Sequence, residues 1–151
     1  MHPLPEYPRP AMRRDSYENL NGLWQYAVTE SPEQPAVWQG GIRVPFAPES
    51  ALSGVEKPVL PGQTLWYFRT FSINGYDAAK RTLLHFGAVD YACTVFVNGR
   101  EAGGHTGGYC PFTLDITSFV RAAENELTVA VTDDTDKGFR ANLRFPFHVH
   151  I

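Results

Sequence analysis

Residues 91 to 103 read Tyr-Ala-Cys-Thr-Val-Phe-Val-Asn-Gly-Arg-Glu-Ala-Gly, and this stretch decides the fold class. The run from Tyr91 to Val97 consists almost entirely of residues that favour strands. Asn98-Gly99 follows it and favours the two positive φ angles of a tight type I′ turn. The pattern therefore predicts a β-hairpin whose short return strand runs from Arg100 to Gly103.

Other segments on both sides of this hairpin carry strand signals. Apolar and polar residues alternate in them with the period of two that a half-buried strand shows. The predicted strands are 22–28, 41–45, 64–73, 81–86, 91–97, 100–103, 112–114 and 126–131. Asp115 is predicted to cap a single helical turn over Ile116 to Val120. Seven to nine short strands, at a spacing of roughly ten residues, predict an all-β sandwich or barrel.

The segments between and beyond these strands divide the chain. Residues 1–14 form a Pro-rich extension, and residues 15–136 hold the predicted sandwich. Within the sandwich, residues 29–62 contain six prolines, and a connection this long is usually functional or packs its own side chains. Residues 103–108 read as a Gly-rich loop. The tail 137–151 alternates apolar and polar residues towards its end and predicts an edge strand.

Composition and charge exclude several classes of function. The chain has 151 residues and a net charge of −3, with acidic and basic residues interleaved, so a nucleic-acid partner is not expected. No stretch approaches the ~20 apolar residues of a membrane span, and no membrane partner is expected. Cys93 and Cys110 are predicted to be free, buried thiols, and a cytoplasmic location follows as an expectation.

Six motifs then follow one another along the chain. They are Leu20 to Tyr26, Val44 to Ser50, Leu65 to Arg69, Phe86 to Tyr91, Val95 to Gly99 and His105 to Thr117. In this order, across roughly residues 14 to 133, they resemble the N-terminal domain of family 2 glycoside hydrolases. That group holds β-galactosidases, β-glucuronidases and β-mannosidases. No single motif is decisive, but six in the family's order are specific.

The resemblance implies a jelly-roll sandwich that is usually called the sugar-binding domain. In the full enzymes this domain precedes an immunoglobulin-like domain and a (β/α)₈ barrel, which carries the acid/base and nucleophile glutamates of retaining hydrolysis. The resemblance fades after about Asp136, and no barrel sequence follows. We therefore expect an accessory, carbohydrate-associated domain that shapes the active site and subunit contacts of a retaining β-glycosidase. It would have no activity alone and no cofactor. Its expected partners are a β-glycoside, the other domains of the parent enzyme and a second copy.

The carboxylates offer no evident catalytic pair. A retaining glycosidase needs two carboxyl groups about 5–5.5 Å apart, and none of the acidic residues stands out in such a pair. Asp115 fits a helix cap, and the acidic cluster at residues 133–136 fits a solvated turn. A metal site is not expected either, because His148 and His150 lack further ligands at a suitable spacing.

Four residues remain as candidates for contact with a sugar: Trp38, Asp90, His105 and Tyr109. Each has a structural alternative. Asp90 can cap backbone amides in a turn, and His105 and Tyr109 can lock their loop onto the sandwich. Trp38 lies in the long connection and is the best candidate for an exposed ring, whereas Trp24 and Trp66 lie in strands and fit the core. Two other functions stay open, a free-standing carbohydrate-binding module and a non-catalytic interaction domain.

Overall fold

The computed structural model describes residues 16–133 and the backbone of residues 149 and 150. This part of the chain holds nine strands and one 3₁₀ turn. The elements are β1 (Gly22–Thr29), β2 (Gly40–Val44), the 3₁₀ turn (Ala51–Ser53), β3 (Thr64–Phe71), β4 (Leu83–Phe86), β5 (Ala92–Val97), β6 (Arg100–Thr106), β7 (Phe112–Asp115), β8 (Asn125–Thr132) and β9 (Val149–His150). Among the described residues, no helix is long and apolar enough to cross a membrane.

The strands form two sheets in which every neighbouring pair is antiparallel. The large sheet has six strands in the order β2-β1-β3-β8-β5-β6, and the small sheet has three in the order β7-β4-β9. The prediction of an all-β sandwich of seven to nine short strands is confirmed.

The core lies between the inner faces of the two sheets. Leu127 and Val129 of β8 and Val95 of β5 are fully buried there, and Leu84 and Phe86 face them from the small sheet. These residues alternate with outward-facing neighbours, as a strand with one face on a core requires. Leu127, Val129 and Val131 therefore form the core face of β8.

Residues 45–63 connect β2 to β3 and contribute side chains to the core. Val59 is buried in the core cluster, and the buried Ser53 hydroxyl donates a hydrogen bond to the carbonyl of Ser50. Ser53 also accepts a bond from the Val55 amide at 3.0 Å, which holds the chain after the 3₁₀ turn. Of the two alternatives predicted for residues 29–62, a functional loop or one that packs its own side chains, these contacts support the second.

The predicted hairpin is present, and a buried amide network fastens it to β8. Asn98 and Gly99 both have positive φ angles, 52° and 75°. The Asn98 side chain donates to Asn125 Oδ1 at 2.8 Å and accepts from the Glu126 amide at 2.9 Å. Asn125 is completely buried, so its four hydrogen bonds replace the water that it loses.

The return strand is longer than the sequence indicated. Strand β6 continues to Thr106, so residues 103–106 of the predicted Gly-rich loop belong to the large sheet. The glycines allow a close approach between strands, because a Cβ at Gly104 would lie 2.5 Å from the Cys93 carbonyl oxygen. The sequence prediction was wrong here because it treated glycine as a loop signal, whereas strands that approach closely also require it.

The predicted cap and turn after β7 are also present. The Thr117 amide donates to Asp115 Oδ1 at 3.1 Å, and the Val120 amide donates to the Ile116 carbonyl at 3.2 Å. Two other predictions lie outside the described residues: the extension 1–14 and, apart from the backbone of β9, the tail 137–151 with His148. The backbone of β9 pairs with β4 at the edge of the small sheet.

Candidate functional site

Three of the four candidate residues lie near one end of the sandwich, which we call the loop end. It consists of the β4–β5 connection (residues 87–91), the β6–β7 connection (residues 107–111) and Asp133 after β8. Asp90 and Tyr109 lie in these connections, and His105 lies at the end of β6 that leads into them. The opposite end carries the Asn98-Gly99 turn, and we call it the hairpin end.

Trp38 lies elsewhere, on the outer face of the large sheet. Its ring stacks on Phe68 of β3 at 5.1 Å and 22°. Leu65 and Tyr67 of the same strand are in the core cluster, so Phe68 faces outwards by alternation. His105 is paired with the core residue Cys93 and therefore faces inwards. Trp38 and His105 consequently lie on opposite faces of the large sheet.

The other two tryptophans are buried, as predicted, but in different layers. Trp24 is 1% exposed in the main core, where its Nε1 donates to the Leu20 carbonyl at 2.8 Å. Trp66 is 2% exposed on the outer face, where it stacks on Phe96 and donates to Thr29 Oγ1 at 2.9 Å. Aromatic residues thus form a second apolar layer outside the large sheet.

Asp90 packs against the backbone of the β6–β7 connection. A Cβ at Gly108 would lie 2.7 Å from Asp90 Cγ, and so only glycine fits beneath the carboxyl group. Beside this contact, the Gly107 amide donates to the Tyr91 carbonyl at 2.8 Å. The two connections are therefore held together, which favours the structural role of Asp90 and leaves contact with a sugar as a prediction.

The His105 ring is fixed in a stack of three rings. It lies 4.4 Å from the Phe112 ring at 14°, and Phe112 lies 4.6 Å from Phe86 at 8°. Among the described residues, His105 Nε2 is the buried side-chain atom without a hydrogen-bond partner. This geometry favours the structural role of His105, in which it holds its loop on the sandwich, because the face of its ring is covered by Phe112.

The two cysteines are free thiols, but they differ in exposure. Cys93 is buried, and burial raises the pKa of its thiol to about 11 despite a backbone hydrogen bond from His105. Since the thiolate is the reactive form, Cys93 is no nucleophile at neutral pH. The prediction that both thiols are buried was wrong for Cys110, which is exposed in the β6–β7 connection.

Tyr91 and Asp133 lie at the loop end beside the candidates Asp90 and Tyr109, but they were not identified as site residues from the sequence. Tyr91 is 40% exposed next to Asp90, and Tyr109 is 55% exposed in the adjoining connection. Asp133 lines the same cleft as Asp90, together with the apolar residues Phe46, Ala47, Pro48, Val59, Leu65, Tyr67, Val89 and Val131. Asp90 and Asp133 are far apart in the sequence, so only the strand order brings them together.

The size of this cleft limits what it can do. Its volume is about 30 Å³, far below the about 300–1,000 Å³ of pockets that enclose small ligands. A sugar ring can therefore reach the two carboxylates only from the mouth of the cleft. The described residues contain no cluster of three or more potential metal ligands.

Asp115 is a third carboxylate with defined partners, and its hydrogen bonds stabilise the fold. Hydrogen bonds from Thr117 and Arg81 lower its pKa to about 2. A group with this pKa stays ionised at neutral pH and cannot act as a general acid there. It lies at the end of β7, where its carboxylate accepts bonds from Arg81 at 2.8 Å and 3.0 Å.

The fold is that of the β-sandwich domains found in glycosidases. The chain superposes on the β-glucuronidase of Lactobacillus rhamnosus with a TM-score of 0.69 and 27% identity, covering 91% of this chain and 26% of that one. It also superposes on the β-glucuronidase of Bifidobacterium dentium with a TM-score of 0.62 over 92% of this chain and 30% of that one, at 21% identity, which shows the fold alone.

The sequence comparison identifies the family. The family described as "Glycosyl hydrolases family 2, sugar binding domain" matches residues 52–140, more than half of the chain. The chain belongs to this family. It is 29% identical over 136 residues to a putative β-glucuronidase of Formosa agariphila, covering 86% of this chain and 16% of that protein. A β-galactosidase of Thermoanaerobacter pseudethanolicus is 36% identical over 70 residues, which are 46% of this chain and 9% of that protein.

Proposed function

We propose that this chain acts as the non-catalytic, carbohydrate-associated domain of a retaining β-glycosidase and shapes the mouth of its active site. The observation that carries the proposal is the match to a sugar-binding domain, while the chain spans only 16% and 26% of two longer relatives. The two catalytic carboxylates that this chemistry needs would lie in another part of the enzyme.

The geometry of the loop end supports a role without catalysis. Asp90 and Asp133 line a cleft of about 30 Å³, which is far smaller than the about 300–1,000 Å³ of pockets that enclose small ligands. The connections around it are exposed and held in place by Gly108 and by the hydrogen bond between Gly107 and Tyr91. Such fixed loops on a rigid sandwich are suited to form one wall of a site that another domain completes.

The outer faces of the two sheets differ, and the difference favours the large sheet as the surface that contacts other domains. The small sheet presents polar groups, with His85 bonded to Thr113 and Arg81 bonded to Asp115. The large sheet presents the aromatic layer around Trp66. Since aromatic side chains are enriched at interfaces, we propose that the outer face of the large sheet contacts other domains or a second copy.

An assay of the purified chain tests the absence of catalysis. We expect no turnover of nitrophenyl β-galactoside or nitrophenyl β-glucuronide. The control variants are Asp90→Asn and Asp133→Asn, which keep the shape of each side chain and remove its charge. Turnover by the wild-type chain that either variant abolishes would show that the cleft carries catalysis and would overturn the proposal.

The free-standing carbohydrate-binding module is the alternative from a different class. It would need a platform of exposed aromatic rings, and Trp38 lies on the face of the large sheet opposite to His105. The cytoplasm remains our proposed location, because two free thiols suit a reducing compartment. Fractionation of the native host cells tests this, and recovery outside the cytoplasm would contradict it.

A further inference from the structure

The chain contains three Asn-Gly pairs, which are Asn21-Gly22, Asn74-Gly75 and Asn98-Gly99. Asparagine is a thermolabile residue, and a following glycine has no side chain that would hinder the loss of its amide. We propose that Asn74 is a modification site, at which the side-chain amide is converted to the acid of aspartate or isoaspartate, while the fold protects Asn98 from the same reaction. This inference is independent of the proposed function, since it concerns the chemistry of the chain itself.

The reaction needs only the chain and water. The backbone nitrogen of Gly75 attacks Cγ of Asn74, so that a C–N bond forms while the bond from Cγ to the side-chain nitrogen breaks. That nitrogen leaves as ammonia with the proton that the Gly75 nitrogen loses, and a succinimide ring remains. Water then adds to one of the carbonyl carbons of the ring. Opening at Cγ gives aspartate, whereas opening at the backbone carbonyl carbon gives isoaspartate.

The turn that holds Asn74 leaves both reacting groups available. Asn74 and Gly75 are exposed in the β3–β4 connection. Within residues 16–133, the Asn74 side chain and the Gly75 amide have no hydrogen-bond partner. A Cβ on Gly75 would meet no atom within 4 Å, so there is open space in which Cγ can approach the nitrogen. The two groups can therefore meet without breaking a contact of the fold.

Asn98 provides a comparison within the same chain, because it also precedes a glycine in a tight turn. Gly99 has a positive φ, and a Cβ there would likewise meet no atom within 4 Å. The side chain makes the difference, since Asn98 Nδ2 donates to the Phe119 carbonyl and to Asn125 Oδ1, each at 2.8 Å. Its Oδ1 accepts from the Glu126 amide at 2.9 Å. Ring closure requires these bonds to break, so Asn98 reacts only after a local opening that has a free-energy cost.

The products at residue 74 change the contact with Glu18. In the intact chain, the Asn74 amide donates to Glu18 Oε1 at 2.6 Å, which fastens the segment before β1 to the β3–β4 connection. Aspartate and isoaspartate both add a carboxylate to the residue that makes this bond, and repulsion between the two negative charges weakens it. Because the site is exposed, the effect is small. Modification therefore loosens the start of the sandwich without unfolding it.

Peptide mapping by mass spectrometry tests the site in the full 151-residue chain. The folded chain is incubated in mildly alkaline buffer, which promotes attack by the backbone nitrogen, and is sampled over time. We expect the mass change from amide to acid to accumulate at Asn74 about tenfold or more faster than at Asn98. In urea, where both turns are unfolded, the two rates should become similar. Equal rates in the folded chain, or an Asn74 that reacts only in urea, would overturn the proposal.

One variant tests the protection of Asn98. Asn125→Ala removes a partner of the Asn98 side chain, so it should speed the reaction at Asn98 and leave the rate at Asn74 unchanged. An unchanged rate at Asn98, or an equal increase at both positions, would overturn protection by the network. The comparison within the wild-type chain does not depend on this variant being folded.

Two further variants test the consequence of the modification. Asn74→Asp reproduces one product, and Asn74→Gln is the matched neutral control. After correction for intrinsic rates, we expect the amide of residue 74 to exchange its hydrogen about two- to fivefold faster in Asn74→Asp than in Asn74→Gln. Equal exchange in the two variants would show that the product leaves the contact with Glu18 intact and would overturn this part of the proposal.

Discussion

Side chains at the two ends of the sandwich make different kinds of contact. At the hairpin end, Asn98 and Asn125 bond to each other and to the adjacent backbone, and Asp115 is paired with Arg81. At the loop end, Tyr91 and Tyr109 are exposed, and Asp90 lies against a glycine. The polar groups of the hairpin end thus form a network of hydrogen bonds, whereas the loop end is held by close packing of a carboxyl group on backbone. Substitutions should show how much each kind of contact contributes to stability.

The largest effect on stability is expected at the hairpin end. Asn125→Ala removes four hydrogen bonds from a completely buried site and leaves backbone groups of Arg121 and Ala123 without partners. We expect the free energy of unfolding to fall by about 3 kcal/mol or more. Urea denaturation measures the loss. Asn74→Ala, at an exposed position, is the control and should stay within about 0.5 kcal/mol of wild type; a similar loss in both variants would contradict the role of the network.

The next largest effect is expected at the contact between Asp90 and Gly108. Gly108→Ala places a Cβ 2.7 Å from Asp90 Cγ, and we expect a loss of about 1–3 kcal/mol, as for other overpacked sites. The cause is tested in a double-mutant cycle. Against an Asp90→Ala background, Gly108→Ala should cost clearly less, because the overlapping carboxyl group is gone. An unchanged cost would mean that the glycine is needed for another reason.

The comparison of the two ends also shows what the sequence could and could not predict. The hairpin of residues 91–99 was predicted because all its signals are local: a run of strand formers and then Asn98-Gly99. The full length of β6 was not, because the reason for Gly104 is the carbonyl of Cys93 on the neighbouring strand. A glycine shows no such partner in the sequence.

The candidate site was predicted less completely than the fold. Asp90, His105 and Tyr109 were each named as candidates from the sequence, but only the folded chain brings them to one end of the sandwich. Asp133 was taken for a solvated turn, since its position beside Asp90 depends on the order of the strands in the large sheet. Trp38 was correctly placed in a loop, but only the folded connection determines that its ring stacks on Phe68.

A third prediction concerns Trp38 on the outer face of the large sheet. Trp38→Ala removes a partly buried ring from its stack on Phe68, and we expect a loss of about 1–2 kcal/mol. Val37→Ala, at a neighbouring side chain that is 75% exposed, is the control and should have little effect on stability. An equal loss in both variants would show that the stack on Phe68 contributes nothing specific.

The smallest effect is expected from Asp115 and depends on pH. Hydrogen bonds from Thr117 and Arg81 lower the pKa of Asp115 from 3.8 to about 2 in the folded chain. Because the folded chain holds this carboxylate ionised more strongly than the unfolded chain does, its contribution to stability is complete above pH 4 or so and is lost as the pH falls towards about 2. Asp115→Asn should therefore lower Tm at pH 7 and leave it nearly unchanged near pH 2. Thermal unfolding of both proteins across this range measures the difference. Since the side chain is exposed, the shift should be small, and a difference that persists undiminished at pH 2 would show that packing, and not charge, makes Asp115 part of the hairpin end.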